Sequence, residues 1–334
     1  VRDVKRCYNW RPATYTGSEK NYEENLNLLN EKIIKKLIKR ANGKQIVVPL
    51  SAGYDSRLIA SGLRKFQYDN VLCVSYGLAQ NRETKTAAEV ASQLGFRHLH
   101  ITYTRRGVRD MWHSDAYQKF MDFCDTGTSV HFYGEFGMLS SLWKNKEVDR
   151  NSVFSNGQSG DFISGNHIAA CFHEKRPNVS NKNDRMDLIE DEIIAKHYRL
   201  WPNLVTEKNK NLVKGLLREQ IKYNGGLPSN PEHDYGVFEA LEFVNRQSKY
   251  VLNGLRTYEY FGHDWYVPLW DREYMDFWAS VPLHLRANQK LYKKVLVKNN
   301  WCGVWRDIDL NPPARWLTHI WVMLHFFRSV FAIL

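Results

Sequence analysis

The most constraining feature of this chain is an alternation. A short hydrophobic run over 45–50 leads into a helical pattern over 55–65, and a second run over 70–76 leads into another over 83–94, which Gly95 stops. A third run follows over 98–103, and a fourth over 152–155 comes after helical stretches around 116–123 and 133–142. Strand–helix–strand alternation predicts a parallel sheet with helices on both faces. Ligands in such sheets bind at the carboxyl ends of the strands. The first of those ends is Ser51-Ala52-Gly53-Tyr54-Asp55-Ser56.

The flanks are mostly helical. Residues 1–17 are irregular. In a helix over 22–41, Leu26, Leu29, Ile33, Ile34, Leu37 and Ile38 recur at helical spacing, and Asn42-Gly43 ends it. Lys35, Lys36, Lys39 and Arg40 read as its solvated face, with cations near the helix C-terminus, rather than as a nucleic-acid patch. From about 185 the pattern is helical over 186–201, 212–223, 235–255, 272–280 and 289–299, broken once by Gly225-Gly226-Leu227-Pro228-Ser229-Asn230-Pro231. There is no strong linker and no internal repeat. The expected organisation is an N-terminal segment and leading helix over 1–44, an α/β core over 45–184, and a helical substrate-side region over 185–334 packed on that core.

With 334 residues, 43% apolar and 25% charged, the chain can bury a sizeable core. Its net charge of +11 permits an anionic partner without choosing among nucleotide, nucleic acid and membrane surface. Cys7, Cys73, Cys124, Cys171 and Cys302 are scattered, and neither they nor His131, His167 and His173 have metal-ligand spacing. Reduced thiols and the lack of a signal-peptide pattern lead to the expectation of a cytoplasmic protein. The start at Val1 leads to the expectation of a missing N-terminal piece. The apolar stretch over 316–334 is interrupted by His319, His325 and Arg328 and falls short of the ~20 residues a membrane span needs. It reads as an amphipathic helix packed on the body or on a partner, with peripheral membrane contact as the alternative. Trp265-Tyr266-Val267-Pro268-Leu269-Trp270 reads as core, or as a surface that stacks on a sugar or base.

A strand that ends in a small-residue turn and enters a helix makes an anion site, because the turn and helix N–H groups point outward together. A large side chain would block a phosphate. Asp55 would repel a bare phosphate but can hold Mg²⁺, which bridges phosphate oxygens. The plainer alternative is an N-capped turn with Ser or Asp as the cap. The spacing is not that of a Walker A loop.

Ser51-Ala52-Gly53-Tyr54-Asp55-Ser56 resembles the pyrophosphate loop, Ser-Gly-Gly-x-Asp-Ser, of the N-type ATP pyrophosphatases. The strand Val71–Tyr76, followed by Gly77, is placed like that superfamily's adenine-side strand. Ser155-Asn156-Gly157-Gln158-Ser159-Gly160-Asp161-Phe162-Ile163-Ser164-Gly165 resembles the second loop of asparagine synthetases, Gly-x-Gly-x-Asp-Glu-x-x-x-Gly. Glu259, Pro268-Leu269-Trp270-Asp271 and Pro282 resemble the later Glu-x-Arg-x-Pro-Phe-Leu-Asp and Leu-Pro stretch. The three motifs fall in order over 45–299. Together they resemble the synthetase domain of asparagine synthetases, and more closely the asparagine-synthase-like proteins of bacterial surface-polysaccharide gene clusters.

The resemblance implies an ATP-pyrophosphatase α/β core and an ATP-dependent, amide-forming ligase. A carboxylate of an amino acid or sugar acid would be adenylated, pyrophosphate and AMP would be released, and ammonia or an amine would form the amide. It implies that Ser51, Ala52, Gly53, Tyr54, Asp55 and Ser56 grip the pyrophosphate, that Asp55 and Asp161 hold Mg²⁺, and that Ser75, Tyr76 and Gly157 lie near the adenosine. The family's N-terminal glutaminase domain has no counterpart in this sequence, and Cys7 reads as structural. Nitrogen would then come from free ammonia, an amino substrate, a separate glutaminase or a preceding segment, with polysaccharide-pathway enzymes as candidate partners. The alternatives are a tRNA-modifying pyrophosphatase and a catalytically degenerate nucleotide-binding protein.

Two departures stand out. Phe162 occupies the position of a family glutamate and cannot transfer a proton, which leaves Tyr258 and Glu259 as candidates for that role. The plainer reading of Glu259 is an ion-pair partner for Arg256 or Arg272. The family's late lysine has no counterpart over 301–309, where Arg306 is the nearest substitute, though a guanidinium is not equivalent to an ammonium. Lys290, Lys293 and Lys294 read as mostly solvated helix positions.

Overall fold

A computed structural model describes residues 7–12, 17–79, 81–174, 177, 179 and 181–308. The element order is α1 (Glu19–Ala41), β1 (Ile46–Pro49), α2 (Tyr54–Lys65), β2 (Val71–Gly77), α3 (Arg82–Gln93), β3 (Arg97–Thr102), α4 (Arg105–Trp112), α5 (Asp115–Cys124), α6 (Tyr133–Lys144), β4 (Val153–Ser155) and a short α7 (Gly160–Ile163). It continues with α8 (Lys182–His197), α9 (Glu207–Tyr223), α10 (Asp234–Glu242), a π-helical segment Phe243–Leu252, α11 (Arg256–Tyr260), β5 (Asp264–Tyr266), α12 (Arg272–Ser280), α13 (Leu283–Arg286) and α14 (Lys290–Asn299).

The strands form one parallel sheet in the order β3-β2-β1-β4-β5. β1 lies at the centre, where Ile46 pairs with Val71 on one side and Val153 on the other. Its Ile-Val-Val run is buried on both faces, as a parallel strand covered by helices requires. The chain winds outward through β2 and β3, then returns across the sheet to β4. That reversal opens a crevice beyond the carboxyl ends of β1 and β4, which is where such sheets bind ligands.

One core lies against α1, α2, α12 and α14. Leu26, Ile33 and Leu37 pack there with Ile46, Val48, Leu58, Trp278 and Leu291. A second core lies against the other sheet face, where Met138, Leu139 and Leu142 of α6 meet Val47, Leu72, Val74 and Phe154. The helices after β4 carry their own core, including Ile189, Ile193, Leu217 and Phe238. They are joined to α13 by the fully buried pair Arg286–Glu239 (2.5 and 3.0 Å); Arg286 also donates to the Ile163 carbonyl.

Several sequence expectations need correction. α4 and β5 lie outside the expected elements, and the helix expected over 235–255 is α10 continued by the π-helical segment and a 3₁₀ turn, Asn253–Leu255. Lys36 is not a solvated cation, because it bridges Asp271 (2.8 Å) and Glu273 (2.9 Å) at the start of α12. The stretch over 316–334 lies outside the described residues. Among the described residues no helix is long and apolar enough to cross a membrane.

Candidate active site

The first loop is built from the backbone outward. Leu50 N–H donates to the Val74 carbonyl and closes β1, and the chain then turns through Ser51, Ala52 and Gly53 into α2. Gly53 occupies the N-cap and supplies no side-chain cap, so the capped-turn alternative does not form. The serines shape the turn: Ser51 N–H donates to Ser56 Oγ (3.1 Å) and Gly53 N–H to Ser51 Oγ (3.2 Å). Ala52 has a negative φ and a buried methyl, so the backbone accommodates alanine at the position of the second family glycine. Its carbonyl accepts from Arg57 Nη2 (3.1 Å), and the buried Arg57 guanidinium also reaches the Val304 and Ile308 carbonyls.

The second loop, after β4, presses against the first. A Cβ on Gly157 would lie 2.5 Å from Ser56 N, and one on Gly160 would lie 2.5 Å from the Asp55 carboxyl. Only glycine permits this approach, which brings Asp55 and Asp161 together. Asp161 N–H donates to Asp55 Oδ2 (3.0 Å), and Tyr292 O–H donates to Asp55 Oδ1 (2.9 Å). Asp161 accepts from Phe162 N–H (2.8 Å) and bonds His167 Nε2 (3.0 Å). Burial, then the Asp161 charge, pushes Asp55 well above the usual carboxylate range. Burial also raises Asp161, but the bond and charge of His167 outweigh it and hold Asp161 below that range. His167 is in turn raised: burial opposes its charge, and bonds to Asp161 and Glu242 overcome that. Behind it the buried Glu242 bonds Lys196 (2.6 Å) and His197.

These loops wall a cavity of about 610 Å³. Asp55, Glu83, Glu135 and Asp161 line it, and Arg246 from the π-helical segment is the one cation among the described residues that do. Asp55 and Asp161, from two strand ends, suit a hard divalent cation, and the Asp161 side chain is 44% exposed to the cavity. Among the described residues no group of three or more His, Cys, Asp or Glu could hold a metal ion. Two carboxylates alone match Mg²⁺, which keeps several waters and shares substrate phosphates rather than filling an all-protein cage.

Ser51, Gly53, Tyr54, Asp55, Ser56, Ser75, Tyr76, Gly157 and Asp161 all line this cavity, with Ala52 directly behind the loop. The catalytic candidates lie elsewhere. Glu259 accepts from Trp265 Nε1 (3.0 Å) and pairs with Arg256 (3.7 Å), as its plainer reading expected. Arg306 donates to the Val297 and Lys298 carbonyls at the end of α14. Tyr258 is buried beneath the second loop, where its hydroxyl accepts from Asn156 Nδ2 (2.7 Å). Phe162 is 0% exposed and packs with Trp10, Phe243 and His167, so its position faces the core. Lys294 pairs with Glu19 and Glu23. Sequence reasoning missed Glu135, Gln158, Arg246, Gln247 and Gln289, all of which line the cavity. Only Gln158 carried a signal, since it stands inside the second-loop motif.

Fold and site together define a doubly wound α/β protein with a small-residue loop at an uncapped helix start and a paired-carboxylate centre at the point where strand order reverses. Residues 41–299 match the family model for asparagine synthase. The chain belongs to the asparagine synthase family, a family of ATP-utilising, amide-forming synthetases. Among solved structures it is similar to an NH3-dependent NAD synthetase from Campylobacter jejuni subsp. jejuni NCTC 11168, in complex with the nitrate ion. The identity is 13% and the TM-score 0.31, over 64% of this chain and 99% of that one. No curated protein sequence matches the chain.

Proposed function

We propose that this chain adenylates the carboxylate of an amino acid or sugar acid with ATP and passes the acyl group to ammonia or an amine. The observation that carries this reading is the meeting of Asp55 and Asp161 beside a loop whose helix start has no side-chain cap. A carboxylate oxygen attacks the α-phosphorus and pyrophosphate leaves. Nitrogen then attacks the acyl carbon and AMP leaves. Asp55 and Asp161 would hold Mg²⁺, which would supply charge neutralisation on the phosphate oxygens when bound. The first loop orients the polyphosphate, with Arg57 fixing the Ala52 carbonyl from behind. Arg246 offsets charge on the departing pyrophosphate. Tyr258 acts through Asn156 by fixing the second loop. A cytoplasmic setting, a separate glutaminase as nitrogen source and a role in surface-polysaccharide assembly belong to the same reading and rest on the family resemblance.

The test is pyrophosphate release from ATP with Mg²⁺ and ammonium, across a panel of amino acids and uronic acids. The expected outcome is release matched by AMP with at least one carboxylate. Normal ATP binding without release for any of them would overturn the ligase reading and leave a nucleotide-binding protein.

A further inference from the structure

Helix α9 (Glu207–Tyr223) presents apolar side chains on two opposite faces. The inner face is accounted for: Val213, Leu217 and Ile221 pack into the core of the helical region, and Lys214 and Arg218 pair with Asp187, Glu190 and Asp191 of α8. The outer face of such a helix is ordinarily polar, because a helix that is apolar all round is a buried one. Here Lys208, Leu212, Gly215, Leu216, Glu219 and Tyr223 recur at helical spacing along one outward stripe. Leu212 is 64% exposed, Leu216 59% and Tyr223 71%. Leu200, Trp201 and Leu204, in the turns just before α9, are exposed as well. Large apolar side chains gathered in this way mark an interaction site.

Two further observations select the occupant. Gly215 stands in the middle of the helix, where glycine is destabilising relative to alanine. A Cβ there would meet nothing within 4 Å, so no packing among the described residues calls for its absence, whereas a second backbone crossing at this point does. Lys208 and Glu219 are opposite charges on the same stripe, and neither has an ion-pair partner among the described residues. They lie about 16 Å apart along the helix axis, too far to pair with each other. They match only across two helices. An antiparallel second α9, related by a two-fold axis midway between Leu212 and Leu216, sets Leu212 of each copy against Leu216 of the other. The same placement brings Lys208 of each beside Glu219 of the other, puts Gly215 near the crossing and lays Tyr223 opposite the exposed Leu204. The stripe is complementary to itself, as an isologous interface requires. We propose that this chain forms a two-fold dimer through α9, with a second copy of itself covering the stripe. No residue of the stripe lines the cavity of the candidate active site, so the inference stands apart from the ligase reading.

Sedimentation velocity of the full chain over about 1–100 µM tests it, the range suited to a single-helix contact at the small end of specific interfaces. The wild type is expected to pass reversibly from monomer to dimer. Leu216→Lys, at an exposed position and checked for folding by its melting curve, is expected to weaken dimerisation at least about tenfold. Lys208→Glu and Glu219→Lys are each expected to weaken it about fivefold, because the two-fold axis repeats each repulsion, and the double reversal to return it to within about twofold of the wild type. A wild type that stays monomeric throughout overturns the proposal and leaves the stripe to a different partner. A dimer untouched by Leu216→Lys, or charge reversals whose effects add instead of cancelling, overturns the antiparallel α9 contact.

Discussion

At the scale of single residues, Asp55 and Asp161 are an unequal pair. Asp161 keeps its charge because His167 bonds it, and that charge, added to burial, makes ionised Asp55 costly. A carboxyl raised in the folded state contributes stability that is full below its unfolded value, near 3.8, and is lost as pH rises through the folded one. The metal-free protein is therefore expected to lose stability as pH climbs from the acid range into the mildly alkaline. Asp55→Asn should raise its melting temperature by several degrees at pH 8, equivalent to ~1–2 kcal/mol, while abolishing any further rise on adding Mg²⁺. Scanning fluorimetry with and without Mg²⁺ checks both, and a lower melting temperature for the metal-free variant would contradict the assigned strain. Asp55 was legible because it stands in a short motif whose chemistry requires an acid. Glu259 was open to two readings for the opposite reason: where a side chain on a five-residue helix points is set by packing, and here Trp265 and Arg256 claim it, as the ion-pair reading expected.

At the scale of elements, the site consists of two loops in contact. Gly157 is their point of closest approach, and a methyl there would strike the backbone of Ser56. Gly157→Ala should destabilise the fold by ~1–3 kcal/mol and weaken ATP binding at least about tenfold, because the loops must separate. Ala52→Gly should leave ATP binding unchanged and cost about 0.5–1 kcal/mol through greater freedom of the unfolded chain. Urea titration and calorimetry distinguish these outcomes. The strand–turn–helix units were readable from periodicity. β5 was not, because its three residues are too few to show alternation and their aromatic character fits a core equally well. The π-helical segment was hidden because its sequence keeps helical composition, yet it carries Arg246 and Gln247 to the cavity.

For the whole molecule, parallel strand order turns distant stretches of sequence into one site. β1 and β4 supply the two loops, α6 supplies Glu135, and the helical region supplies Arg246 and Gln289. The fold class was legible in the strand–helix alternation over 45–155, and the two loops because each lies within a dozen contiguous residues. Glu135 and Arg246 were not, because they reach the cavity only through packing of α6 on the sheet and of α10 with its π-helical continuation on the core. The Arg286–Glu239 pair holds that arrangement, and Gly165 (φ +99°) passes so close that a Cβ would lie 2.4 Å from the Arg286 carbonyl. The central claim is that this assembled cavity binds ATP through a metal shared by two strand ends. Calorimetric titration of ATP, with and without Mg²⁺, into the wild type and Asp161→Asn tests it most directly. The predicted result is a single site that Mg²⁺ tightens at least about tenfold in the wild type, with the Mg²⁺ effect lost in a folded variant. Absence of ATP binding, or an equal Mg²⁺ effect in both proteins, would contradict it.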